Sequence, residues 1–225
     1  MAETLGRESI LRDRVDAGRR LARRLEKYRH ERPAIVALPR GGVPVGAEVA
    51  RALDAPLDIL IVRKIGAPGN PEYGLGAVAE DGSRVIDDPR VREIGLTRED
   101  LEPVIAEELE EIARRASIYR SGRPAIDLRD RTVILVDDGV ATGVTVRAAV
   151  VAVRRQGPRR VVLAFGVSPP QTQEALARIA DDVIVLLVPP RFYAVGEWYL
   201  DFRPVEDADV LRTLAAMDPW TPGQE

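Results

Sequence analysis

The sequence predicts an α/β fold with a central parallel sheet flanked by helices. Three observations carry that expectation. Short apolar, β-rich runs alternate with helical patterns along both halves of the chain. The runs read as buried strands, of the kind covered by helices on both faces of a sheet. They also stop at turn signals such as Pro39-Arg40-Gly41-Gly42 and Pro189-Pro190.

The elements follow in order. Residues 8–30 place Ile10, Leu11, Val15, Leu21, Ala22 and Leu25 at helical spacing with arginines between them, the pattern of a surface helix packed on a core. Ala34-Ile35-Val36-Ala37-Leu38 reads as a strand, 43–53 as a helix and 57–62 as a second strand. Residues 75–80 and 84–86 read as strands paired about Asp81-Gly82, and the glycine- and proline-rich stretch 65–74 as a mobile loop. A Thr-x-x-Asp cap at Thr97 and Asp100 opens a long charged helix over 97–120. The second half repeats the alternation more clearly. Strands are expected at 132–136, 160–165 and 183–188, with helices at 143–156 and 170–180. No repeat, low-complexity tract or Gly/Ser linker divides the chain, so residues 1–225 read as one domain.

Composition excludes several chemistries. The 45% hydrophobic content supplies a sizeable core, and the 31% charged residues nearly cancel to a net charge of −3. That balance offers no basic face for nucleic acid. Without cysteine there is no disulfide, thiol nucleophile, thiolate zinc site or iron–sulfur cluster. His30 is the only histidine, so no two-histidine metal set exists, and no G-x-S-x-G accompanies it for a Ser-His-Asp triad. Any metal is expected to be a hard cation on oxygen ligands, most simply Mg²⁺. No apolar run approaches the ~18 residues of a membrane span. Residues 1–8 lack the apolar stretch of a secretory signal, and a cytoplasmic location is expected.

Ligands of open parallel sheets bind at the carboxyl ends of the strands. There the segment Val133-Ile134-Leu135-Val136-Asp137-Asp138-Gly139-Val140-Ala141-Thr142-Gly143-Val144-Thr145 stands out. A buried strand delivers two carboxylates to its edge, and a turn of small residues then opens into a helix. Such a turn aims backbone N–H groups, hydroxyls and a helix N-terminus at one spot, which suits a phosphate. Carboxylates beside it accept hydrogen bonds from sugar hydroxyls or hold Mg²⁺ through water.

This segment resembles the phosphoribosyl-pyrophosphate motif of type I phosphoribosyltransferases. The resemblance implies that Asp137 and Asp138 bind the ribose hydroxyls and that Ala141, Thr142, Gly143, Val144 and Thr145 form the 5′-phosphate loop. It places Arg40, Gly41 and Gly42 at the pyrophosphate loop and assigns Arg63 and Lys64 to pyrophosphate contact. Of the 33 basic residues only Lys27 and Lys64 are lysine, a modest independent hint that an ammonium is needed at 64. The stretch 65–74 matches the family's flexible catalytic loop.

Five of the ten aromatic residues fall within 192–202. That segment resembles the base-binding region of purine phosphoribosyltransferases, which implies that Phe192, Tyr193, Val195 and Asp201 contact the acceptor. Ala141 stands where hypoxanthine-guanine enzymes carry an aspartate general base, so the acceptor is left open. The resemblance further implies a core at about 30–188 and a small C-terminal hood at about 189–205 to which the N-terminal helix contributes. It implies Mg²⁺, phosphoribosyl pyrophosphate and a nitrogenous base as ligands, and a homodimer, the common state of the family. Two other readings stay open, a regulatory module that binds a phosphoribosyl nucleotide and a hydrolase of a phosphoribosyl compound. The dinucleotide fingerprint G-x-G-x-x-[GA] is matched at 74–79, but that stretch is β-rich and follows a loop instead of opening a helix, and at 41–46 Val43 replaces the second glycine.

Overall fold

The structure, a computed structural model, describes residues 10–217. Residues 1–8, read above for a leader, and the end of the chain from 218 lie outside the described residues. The chain begins with α1 (Arg14–Leu25), β1 (Pro33–Ala37), α2 (Gly42–Leu53) and β2 (Leu57–Ile59). Next come β3 (Val62–Ala67), β4 (Asn70–Ala79), β5 (Arg84–Ile86), α3 (Asp88–Glu93) and α4 (Glu102–Arg120). The second half runs β6 (Thr132–Gly139), α5 (Val144–Arg155), β7 (Arg160–Val167), α6 (Pro170–Leu176), β8 (Asp182–Leu187) and α7 (Asp207–Ala215).

The central sheet has five parallel strands in the order β2-β1-β6-β7-β8, and β3-β4-β5 form a separate antiparallel sheet. Alternate residues of each central strand point to opposite faces. Val36, Leu135 and Leu163 pack with Val146, Val150 and Val153 of α5. Ile35, Ile134 and Val162 pack with Leu21 and Leu25 of α1 and Val45 and Val49 of α2. The first helix is thus a core-packed surface helix, capped by Asp13, whose side chain accepts from the Asp16 N–H. Leu21 and Leu25 are fully buried, each stabilising the fold by about 1.5–3 kcal/mol.

Three stretches depart from the sequence reading. The run 57–62 is not one strand: β2 ends at Ile59, and Val62 opens the second sheet. The Leu60 N–H donates to Ala37 O of the central sheet, while Ile61 O accepts from Glu80 N–H at the end of the ribbon. Hydrophobicity alone does not show where a strand changes partner. The stretch 65–74 is a bulged β3–β4 hairpin rather than an open loop, turning at Pro68-Gly69, with Gly69 at φ 75°. At Gly66 a β-carbon would come within 2.5 Å of Pro71 O, so glycine there permits the close crossing of the two strands. The Thr97–Asp100 cap forms, with both Thr97 donors on Asp100 Oδ2 at 2.8 Å. It is followed by a 3-10 turn, Glu99–Leu101, before α4 begins. α4 then buries Ile105, Ile112 and Tyr119 in a cluster with Ile65, Leu75 and Val78 of the ribbon and Val210 and Leu214 of α7.

Candidate active site

Parallel pairing of β1 with β6 builds the site. Ala37 is in register with Val136, and the next residue, Leu38, donates its N–H to Val136 O at 2.9 Å. The chain leaving β1 therefore turns directly against the two aspartates leaving β6. The Pro39–Arg40 peptide in that turn is cis. A β-carbon at Gly41 would lie 2.6 Å from Asp138 Cγ, and one at Gly42 2.5 Å from Val136 O. Both glycines are thus required by close approach, and the anion that Gly41 meets is Asp138 itself.

Asp137 and Asp138 are held differently. Asp137 Oδ1 accepts the Asp138 N–H at 2.8 Å. Asp138, 8% exposed, accepts from Arg14 Nε at 2.7 Å, and its carbonyl accepts from the Tyr199 hydroxyl at 2.6 Å. Desolvation raises the Asp137 carboxyl well above the usual range, and the neighbouring Asp138 charge raises it further. Asp138 is also raised by desolvation, against which Arg14 acts. Burial and the Asp138 charge likewise push the Tyr199 hydroxyl upward, so it stays protonated as a donor.

The turn after the pair is shaped for approach from solvent. Ala141 and Thr142 are exposed, while Gly143, at φ 75°, is buried and caps α5. Val144 and Thr145 form the first turn of that helix. Thr172 of α6 donates to Ala141 O at 2.6 Å and ties the turn to that helix.

The expected cations each meet a different environment. Arg40 Nη1 lies 3.4 Å from Asp207 Oδ1 and 3.6 Å from Glu206 Oε2, at the start of α7. Asp207 also accepts from Tyr119 of α4 at 2.6 Å; that bond and the Arg40 contact hold its carboxyl below the usual range despite partial desolvation. Arg63 and Lys64 stand on the ribbon strand β3, not at the end of a central strand. Arg63 Nε donates to Glu108 of α4 at 2.6 Å, whereas Lys64 is exposed and forms no ion pair among the described residues. Neither touches the aspartate pair.

The aromatic segment folds against the site from the other side. Val195 packs on Gly139, where a β-carbon would come within 2.6 Å of Val195 Cγ1. Phe192 is half-buried against the core, whereas Tyr193 is 84% exposed. Asp201 is taken by Arg203, whose Nε lies 2.9 Å from Oδ1. Leu11 bridges to this segment through its backbone, donating its N–H to Trp198 O and accepting from the Leu200 N–H. The N-terminal segment therefore pairs with the hood. An open cleft of about 520 Å³ beside this segment is lined by Arg14, Pro44, Asp201, Arg203, Asp209 and Thr213.

Residues that sequence reasoning passed over are Arg14, Tyr199, Glu108 and Asp207. Arg14 has no local signal, being one arginine among many on the first helix. Tyr199 lay inside the aromatic cluster, but only the fold turns its hydroxyl onto Asp138.

Known proteins resemble the chain over this same architecture. Residues 6–188 match the family model described as a phosphoribosyl transferase domain. Two Mycobacterium tuberculosis proteins, from strains CDC 1551 / Oshkosh and H37Rv, are each 44% identical over 202 residues. They are named "Putative phosphoribosyl transferase" MT0597 and Rv0571c. The match covers 90% of this chain and 46% of each relative, so the chain spans about half the length of the curated relatives it matches. The crystal structure of TT1426 from Thermus thermophilus superposes with a TM-score of 0.79 at 45% identity, covering 92% of this chain and 99% of that one. A family match running through β8, over the parallel sheet that carries the acidic pair, places the chain in the phosphoribosyl transferase domain family.

Proposed function

We propose that this domain transfers the 5-phosphoribosyl group of phosphoribosyl pyrophosphate to a nitrogenous acceptor and releases pyrophosphate. The observation that carries this reading is the continuous unit Asp137-Asp138 and 141–145, with Gly41 and Gly42 packed onto its carboxylates. In the reaction the C1′–O bond to pyrophosphate breaks and a C1′–N bond to the acceptor forms. The demand is to stabilise an electron-poor ribose and a departing anion.

Asp137 and Asp138 hold the ribose hydroxyls and place negative charge near the developing positive centre. The exposed 141–145 turn takes the 5′-phosphate on its N–H groups and hydroxyls. Arg40 and the backbone at Gly41 and Gly42 receive the pyrophosphate, joined by Arg63 and Lys64 when the β3–β4 ribbon folds over the substrate. Tyr193, Phe192 and Asp201 border the acceptor side, and Val195 shapes it by packing under Gly139. Ala141 carries no proton acceptor, so the acceptor must lose its proton without help at that position.

Mg²⁺ fits this donor set as an ion shared with the substrate. Among the described residues no group of three or more acidic, histidine or cysteine side chains could hold a metal. Two carboxylates suit an ion that keeps its waters and phosphate oxygens. When bound, it would offset charge on the leaving pyrophosphate.

The deciding experiment measures pyrophosphate release from phosphoribosyl pyrophosphate and Mg²⁺ across a panel of purine, pyrimidine and other nitrogenous acceptors. Release dependent on one acceptor is the expected result and identifies it. Release without any acceptor indicates hydrolysis, and tight binding without release indicates a nucleotide sensor.

A further inference from the structure

The carboxylate pair at the end of β6 is reached from the far end of the chain. Arg14, the first residue of α1, donates to Asp138 Oδ2, and both side chains are only 12% exposed. Two more contacts hold the same guanidinium. Its Nη1 donates to Arg203 O at 2.8 Å, and its Cζ lies 3.9 Å above the centre of the Phe202 ring. Phe202 is fixed in turn, with the Tyr199 ring 5.0 Å away and Gly196 so close that a β-carbon there would come within 2.8 Å of it. Tyr199 completes the circuit through its hydroxyl on Asp138 O.

Asp138 is therefore held at side chain and backbone by a single packed unit drawn from 14 and 196–203. Most surface ion pairs are loose because both side chains must give up rotamer freedom. Here the guanidinium is already ordered by a ring face and a carbonyl, so little freedom is left to lose in holding the carboxylate. Arg14 engages Oδ2, and the carboxylate also meets the Gly139 backbone and the Asp137 side chain; a ligand hydroxyl would be accepted by the lone pairs that these contacts leave. Removing the guanidinium would leave a buried carboxylate without its charged partner and less constrained.

We propose that Arg14 is a positioning residue for the phosphoribosyl site, acting through Asp138 to hold that carboxylate where it accepts a ribose hydroxyl. This inference rests on the phosphoribosyl reading above. It assigns the N-terminal helix a part in substrate binding, beyond covering the sheet.

The test is calorimetric binding of phosphoribosyl pyrophosphate with Mg²⁺, and separately of inorganic phosphate, to the wild type, Arg14→Met, Arg14→Lys, Asp138→Asn and the Arg14→Met/Asp138→Asn double variant. Arg14→Met is expected to weaken phosphoribosyl pyrophosphate about tenfold, the size of one charge-assisted hydrogen bond. Phosphate affinity should hold within about twofold, because the 141–145 turn does not touch Arg14. Lysine restores charge without the fork or the stacking plane and should recover only part of the loss. In the Asp138→Asn background, Arg14→Met should cost nothing further, which a merely structural role would not produce.

Equal binding by wild type and Arg14→Met overturns the proposal, as does an undiminished Arg14→Met loss when Asp138 is already asparagine. A parallel loss of phosphate binding also overturns it, by showing general damage. Should Arg14→Met not fold, Arg14→Lys in the two Asp138 backgrounds decides on the same criteria. A wild type that does not bind phosphoribosyl pyrophosphate at all instead fails the underlying reading, and the proposal falls with it.

Discussion

The substitution Gly41→Ala adds one methyl group at the tightest point of the site. Its β-carbon would lie 2.6 Å from Asp138 Cγ, where unstrained carbon atoms rest about 3.5–4.0 Å apart. Relief requires a shift of about 1 Å by the backbone at 41 or by the Asp138 carboxylate. The backbone is held by Gly42 N–H on Leu38 O at 3.0 Å, and the carboxylate by Arg14 at 2.7 Å. Overpacking costs about 1–3 kcal/mol and a lost charged hydrogen bond about 1.5–3 kcal/mol. Moving the carboxylate relieves the clash while breaking the bond, so the two costs do not add in full, and about 3 kcal/mol is expected. For a domain of this size that lowers the melting temperature by about 6–12 °C. Thermal unfolding of Gly41→Ala is read against Gly74→Ala, where an added β-carbon meets nothing within 4 Å and no loss is expected. A Gly41→Ala protein that melts within about 1 °C of wild type refutes the close approach and the argument built on it.

Three further outcomes follow from the same geometry. Lys64→Ala should slow pyrophosphate release by about 100-fold or more while changing nucleotide affinity little, since the charge matters chiefly as the anion departs; equal losses in both would remove Lys64 from the chemistry. Glu108→Gln releases Arg63 from its 2.6 Å partner and should tighten pyrophosphate binding about two- to fivefold at low salt, an effect that high salt erases; titration at two ionic strengths checks it. Burial, aided by the bond to Asp207, pushes the Tyr119 hydroxyl from 10.0 up to about 12. Its neutral form is favoured in the folded state, so the stabilisation is complete below pH 10.0 and is lost as pH rises toward about 12. Melting temperatures across that window should fall more steeply for wild type than for Tyr119→Phe, and parallel curves would contradict the assignment.

Much of the architecture was legible in the linear sequence because the decisive patterns are local. The buried strand 132–136, the acidic pair and the small-residue turn are contiguous, and strand, turn and helix follow from residue types within a few positions of one another. The strands and helices from 132 to 188 were readable for the same reason, their ends differing from the expected ones by a few residues. The hairpin about Asp81-Gly82 was also local: Gly82 takes φ 80°, and Asp81 accepts from both Ser83 donors.

Choices among equivalent partners were left to packing. An apolar run such as 57–62 carries the same hydrophobic pattern whether it serves one sheet or two, and only the assembled fold divides it at Leu60-Ile61. α3 and α7 are short, and α7 buries just Val210 and Leu214, too few apolar positions to announce a helix. The counter-ions are the clearest case. In a chain whose basic residues are almost all arginine, nothing local separates Arg14 from its neighbours on the first helix. Its role arises because folding brings it to Asp138, 124 positions along the chain, in a place where both charges are shielded from water. Charge pairing depends on distance and burial, and those are properties of the packed molecule. Residue order alone establishes which side chains form the acidic pair and the turn beside it; the fold selects the cation that faces that pair.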